Sequence, residues 1–198
     1  MVTGLLKKRV LARLVIALLA LTCAHSVGAQ DVGLKTNFAN WAYFGSPNAS
    51  LEVRLADRWT LDIGGSMNLW KFENNMKAKH WLAQPELRYW FCETFNGHFL
   101  GLHLHGGQYN VGGYDLPIGR FKAFKDHRFQ GYFYGAGLSY GYQWLLGKHW
   151  NLEASLGGGY ARMWYEKFPC VECGEKLGEG YYNYWGLTRA TLSLIYLF

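Results

Sequence analysis

The chain has 198 residues, with 20 Lys plus Arg against 14 Asp plus Glu and a formal charge of +6. Half of its residues are hydrophobic, including nine Trp, fourteen Tyr and twelve Phe, a heavy aromatic load for a length that suits one domain. The cations form no stripe interleaved with stacking aromatics, which excludes nucleic acid as a partner. No stretch beyond residue 29 has eighteen consecutive apolar residues, which excludes helical membrane spans there.

Lys7, Lys8, Arg9 and Arg13 precede an apolar run from Leu14 to Leu21, and Val27-Gly28-Ala29 offers small residues before Gln30. Residues 1–29 are therefore expected to be a cleaved secretory signal peptide. Ala20-Leu21-Thr22 lacks the small pair that precedes a lipidated cysteine, so Cys23 is not read as a lipoprotein anchor. Removing the four leader cations takes the formal charge from +6 to +2, so the basic balance is mostly a property of the targeting segment.

From Gln30 onward the pattern has period two and predicts eight strands. They are Val32–Phe44, Ala49–Leu55, Trp59–Trp70, His80–Phe91, His98–Gly107, Gly131–Leu146, Trp150–Lys167 and Tyr184–Phe198. Ala56–Arg58, Cys92–Gly97 and Gly147–His149 are short connections. Lys71–Lys79, Gln108–Gln130 and Phe168–Asn183 are long, and a short first one lies near Gly45–Asn48. Short turns at one end and long loops at the other, with an even strand count, describe a membrane barrel whose termini share the turn side. Pro85 resists this reading, because proline lacks a ladder donor, and a bulge is expected there. Arg58-Trp59-Thr60-Leu61-Asp62 is echoed by Trp150-Asn151-Leu152-Glu153 after His149, read as hairpin similarity without functional meaning.

Alternation sorts the charges. If Leu51, Val53 and Leu55 face lipid, Glu52 and Arg54 face inward. The same parity sends Lys35, Asp62, Glu86, Arg88, Glu153 and Arg189 inward, four carboxylates and four cations in all. On the lipid face each would cost ~2–4 kcal/mol near the midplane, whereas inside a narrow barrel they can pair. Gly135, Gly137, Ser139 and Gly141 give strand six a small inward face that leaves room for long side chains. The expectation is a plugged, salt-bridged lumen.

Few motifs suggest chemistry. His103 and His105 share a face, but spacing fixes no third metal ligand, so no cofactor is expected. Cys170 and Cys173 in the last long loop read as a local disulfide, with half a zinc site or free thiols as alternatives. Arg120, Lys122, Lys125 and Arg128 accompany Phe121 and Phe124 in the longest loop. They are expected either to contact lipopolysaccharide phosphates or to form an ordinary solvated loop. No serine carries a nucleophile motif, so an enzyme is not expected.

Two resemblances add to this. The ending YWGLTRATLSLIYLF, Tyr184 to Phe198, resembles the terminal signal of Gram-negative outer-membrane barrels; on it, Tyr184, Gly186, Thr188, Ala190, Leu192, Leu194, Tyr196 and Phe198 are expected on the lipid face. KHWLAQPELRYWFCETFNGHFLGLHLHGGQYNVGG (Lys79–Gly113), QWLLGKHWNLEASLGGGYAR (Gln143–Arg162) and Lys35-Thr36-Asn37 resemble an uncharacterised outer-membrane barrel family of anaerobic Gram-negative bacteria, a domain of unknown function. That resemblance implies genes near those for fimbriae, hence a fimbrial or other surface-protein partner. The expected fold is all-β: an eight-stranded antiparallel up-and-down transmembrane barrel of outer-membrane type over residues 30–198, located in the outer membrane. A soluble lipocalin-like barrel is the alternative. The expected role is structural or surface-interacting; a lipid-modifying enzyme and a narrow pore are the alternatives.

Overall fold

The computed structural model describes residues 31–42, 45–70, 77–113, 127–169 and 174–198. They form β1 (Val32–Asn37), a single-turn helix α1 (Phe38–Ala42), β2 (Asn48–Ala56), β3 (Trp59–Asn68), β4 (Lys77–Trp90), β5 (Gly97–Gly112), β6 (Arg128–Leu145), β7 (Trp150–Phe168) and β8 (Gly178–Leu197). Each strand pairs antiparallel with the next. β8 returns to β1, with Gly33 opposite Leu197 and Asn37 opposite Ser193, so one sheet closes in a ring with no free edge.

The first strand is shorter than its alternation suggests. It stops at Asn37, whose side-chain oxygen accepts from the Ala39 amide at 3.0 Å and caps α1. Gly45, at φ 59°, donates back to the Trp41 carbonyl at 3.0 Å and ends the turn in the left-handed conformation that glycine tolerates. β3 stops at Asn68, two residues short of the expected Trp70, whereas the strands after it are longer than expected, because pairing continues past the point where alternation fades. β8 starts at Gly178, opposite Lys167.

Pro85 makes no bulge. Ile63 pairs with it on the β3 side. On the β5 side Ala83 opposite Gly106 and Glu86 opposite His103 keep one register across an unpaired gap. The missing proline donor costs a ladder bond and nothing else. One irregularity falls at the turn end of β2, where Leu55 is an extra residue between Arg54 and Ala56, and another falls in β8. Gly157 pairs with Arg189 and Gly158 with Leu187, so Thr188 is an extra residue. It reverses the parity above it: Trp185 is 77% exposed and Leu187 59%, while Tyr184 and Thr188 are half-buried. The expected outward face of Tyr184, Gly186 and Thr188 is therefore corrected to Trp185 and Leu187.

The sidedness is inverted relative to a water-soluble fold. Leu51, Ile63, Leu102, Leu104, Leu138 and Leu156 are exposed, whereas Lys35, Glu52, Asp62, Glu86, Arg88, Glu153 and Arg189 are buried inside the ring. The small apolar core lies at the short-turn end. There Phe95, Ile195 and Leu197 cluster, and Trp90 stands 4.9 Å from Phe99, centroid to centroid. Phe95 holds φ at 63°, a costly conformation for an aromatic residue, and the β4–β5 turn thereby drives its ring into the ring's interior.

Candidate functional site

The interior is organised around a row of acids. Glu52 stands directly opposite Asp62, and Asp62 opposite Glu86, so β2, β3 and β4 each place a carboxylate at one level. Like charges on facing strand positions repel, and here no bulk water screens them. Cations from three strands answer this repulsion.

Arg88, two positions along β4, is completely buried. Its Nε lies 2.6 Å from Glu86. Its Nη1 lies 3.0 Å from Glu52 and 2.7 Å from Glu153, and its Nη2 2.9 Å from Asp62 and 3.0 Å from the second Glu153 oxygen. The guanidinium rests 4.4 Å above the Phe99 ring, which seals it from the turn end. Lys35 contacts Glu52, and reaches Glu153 at 2.8 Å and Asp62 at 3.7 Å. Arg189 reaches Asp62 at 3.1 Å and Glu86 at 3.3 Å, and donates to the Gln84 side-chain oxygen at 3.1 Å. Two of the carboxylates also accept from hydroxyls: Thr60 donates to Glu52, and Ser139 to Glu86 at 2.5 Å. Thr60 in turn accepts from the Trp90 indole at 2.9 Å.

Seven of the eight residues that alternation sends inward thus meet in one cluster. Arg54 does not. It has inward parity but sits at the turn end, 37% exposed along its side chain, with Nε 3.2 Å from Asp31. Four carboxylates therefore face three cations, not four. The sequence echo acquires a meaning that it lacked: Asp62 and Glu153, at matching positions of the two copies, enter the same cluster. Thr60 and Asn151 are both fully buried, and Trp59 and Trp150 both point outward.

The small face opposite is needed for space. A Cβ on Gly101 would stand 2.5 Å from a Glu86 carboxylate oxygen. Toward the loop end the interior opens. A cavity of about 50 Å³ adjoins Lys35, Asp62, Gln84, Glu153 and Arg189. Asp62 Oδ1 and Arg189 Nε are buried there without a hydrogen-bond partner among the described residues. A wider hollow of about 770 Å³ lies at the loop end, bordered by the inward side chains His80, Tyr109 and Tyr165 and by residues of the outer wall such as Gln130 and Glu166.

A family model described as "Protein of unknown function (DUF3575)" matches residues 14–198. The chain belongs to that family. The match covers every described strand and all seven cluster residues, so the buried charges are part of the family domain. No curated protein and no solved structure matches the chain.

The other candidate residues are dispersed. His103 and His105 lie 5.6 Å apart by ring centroid. His103 Nε2 is 2.9 Å from the Thr188 hydroxyl, and its Nδ1 is 3.8 Å from Glu86. Among the described residues no three His, Cys, Asp or Glu side chains are grouped to hold a metal. Cys170, Cys173, Arg120, Lys122 and Lys125 lie outside the described residues. Arg128 begins β6 at the loop end, with its guanidinium 4.1 Å above Phe168. Cys92 is exposed in the β4–β5 turn and forms no disulfide. Sequence reasoning missed Gln84 and Ser139 as cluster partners, although their parity marks both as inward. It also missed Phe95, which no periodicity marks because it belongs to a turn.

Proposed function

We propose that the chain is an up-and-down β-barrel of the outer membrane, plugged by its own side chains, that serves as a structural anchor presenting its loop end at the cell surface. The observation that carries this reading is the inversion itself: ionised side chains bury inward while leucines and aromatic rings cover the outside. A soluble lipocalin-like barrel would reverse that distribution.

The dimensions support it. Trp144 and Tyr132 are exposed near the two ends of β6. The twelve residue-to-residue steps from one to the other span about 40 Å along the strand, or about 30 Å vertically at a tilt near 40°, close to one hydrocarbon layer. At the loop end Trp81, Gln108, Tyr132, Trp164 and Tyr181 pair in succession as an outward row rich in rings, the composition of an interfacial girdle. Two positions beyond, Lys79, Asn110, Gln130, Glu166 and Glu179 form the next outward row, all polar, where the wall emerges into water. No described helix is long and apolar enough to cross a membrane, which leaves the strands as the spanning elements in this reading.

The Arg88 cluster and the Phe95 plug fill the lumen, so this reading includes neither steady conduction nor a reaction. The surface partner is drawn from the family resemblance: a fimbrial or other surface protein that engages the loops. Fractionation of cells should recover the protein in the outer membrane, with a gel mobility that shifts on boiling, and copurification should identify the partner. Recovery as a soluble periplasmic protein would refute the barrel, and large steady currents in planar bilayers would refute the plug.

A further inference from the structure

Between the outward tryptophans of the turn end and the aromatic row of the loop end, the outer wall carries a single Lys, Arg, Asp or Glu among the described residues: Arg162 of β7. Its parity is outward, since Gly157 and Ala161 are buried inside, and its facing partners are Tyr134 and Asn183. A cation here would be a pure liability in hydrocarbon, at a position where any apolar residue would serve.

The side chain does not lie level with its Cα. Its guanidinium stands 5.1 Å from the Trp164 ring centroid and 4.4 Å from that of Tyr181. Both rings belong to the row nearer the loop end. Arg162 therefore reaches up out of the apolar band to the level of the girdle, where headgroups begin. The guanidinium carbon lies over both rings, which flank the cation. Among the described residues no carboxylate pairs with this arginine; its Nε is buried without a hydrogen-bond partner, which leaves the terminal Nη groups as the donors toward the outside. Beside it the Asn183 side-chain oxygen accepts from the Tyr160 hydroxyl at 2.8 Å, and its amide nitrogen has no partner of its own among the described residues. The result is a ring-flanked cation near the headgroup level, with no carboxylate beside it among the described residues.

Building on the membrane reading above, we infer that Arg162, with Asn183 and the flanking rings of Trp164 and Tyr181, binds a phosphate group of an outer-leaflet glycolipid of the lipid A type. A planar guanidinium takes two phosphate oxygens at once, and aromatic backing excludes water from the contact. The site is separate from the buried cluster and from the loop cations. Its position on the wall selects a ligand delivered laterally by the membrane.

The test uses the full-length protein in detergent, with retained lipid counted by native mass spectrometry against added diphosphorylated or dephosphorylated lipid A. The wild type should prefer the phosphorylated form. R162Q should bind that form about tenfold or more weakly and lose the preference. R162K, a point charge on a flexible stem, should recover part of it. Equal binding of the two lipids by the wild type overturns the phosphate contact without reference to any variant. An unchanged preference in R162Q overturns the assignment to Arg162. Loss of the preference in millimolar inorganic phosphate shows a general phosphate site and overturns the lipid source. Absence from the outer-membrane fraction is a different failure, that of the barrel reading, and fractionation registers it separately.

Discussion

Replacing Arg88 by Met removes the one residue that touches all four carboxylates of the cluster. Its contacts to Glu86, Glu52, Glu153 and Asp62 all fall between 2.6 and 3.0 Å. Methionine keeps much of the stem volume, so the main loss is charge, and four carboxylates are left facing Lys35 and Arg189 alone. Breaking a buried ion pair by removing one partner costs about 3–5 kcal/mol, and several partners are stranded here at once, so R88M should reach at least that range. Urea unfolding in lipid vesicles, followed by tryptophan fluorescence, measures it. R54Q is the built-in control. Arg54 is partly solvated and, among the described residues, pairs with Asp31 alone, so its removal should change stability by no more than about 0.5 kcal/mol. A second control adds E153Q to R88M: removing one stranded charge should restore about 1 kcal/mol or more, a non-additive effect between groups in contact. If R88M unfolds within 0.5 kcal/mol of the wild type, as roughly expected for a solvated pair, then water reaches the cluster and the plugged lumen is wrong.

Two further outcomes test other parts of the architecture. G137V places atoms where a Cβ alone would already stand 2.6 Å from both the Gly158 carbonyl and His103 Nε2, so overpacking should cost about 1–3 kcal/mol in the same unfolding assay. Cys92 is exposed in a short turn, which the barrel reading puts on the periplasmic side. In a C170S/C173S background a membrane-impermeant maleimide should label it only after the outer membrane is permeabilised; labelling of intact cells would invert the proposed orientation.

Much of the ring was legible because its two faces meet opposite demands. Where leucines alternate with glutamate and arginine, period two identifies both the strand and its inner face, and seven cluster residues follow from parity alone. What alternation could not reveal was where it is interrupted. Phe38–Ala42 keeps an apolar composition, but the Asn37 cap and the Gly45 turn make it helical. Thr188 shifts the parity of everything before it in β8, and a run such as Tyr181-Tyr182-Asn183-Tyr184-Trp185 reads equally well in either phase. Pro85 drew suspicion that belonged to Thr188, because a missing ladder donor is visible in sequence and an extra residue is not. Arg54 shares the parity of Glu52, but height along the strand decides whether a side chain meets the cluster or solvent, and parity carries no height.

The cluster ties the ring in a way that its ladders do not. Backbone pairing joins each strand only to its neighbours, and any two neighbours could slip by two residues with their faces preserved. The ion pairs run across the interior instead. Lys35 of β1 meets Glu153 of β7, Arg88 of β4 meets Glu153 of β7, and Arg189 of β8 meets Asp62 of β3 and Glu86 of β4. These contacts exist together only when the sheet has closed and every strand stands at its proper height. A slip of two residues in β4 would carry Arg88 to the present level of Glu86 or of Trp90, away from Glu153. Buried ions contribute little net stability beside a well-packed apolar core, but a misplaced one is heavily penalised. On an outer face that is apolar over most of its height, with Arg162 and Asn183 near the loop end, the proposed lipid contact distinguishes one register from another only weakly. The buried charges supply the discrimination that the outer face lacks, and for that role their cost in isolation is the useful property.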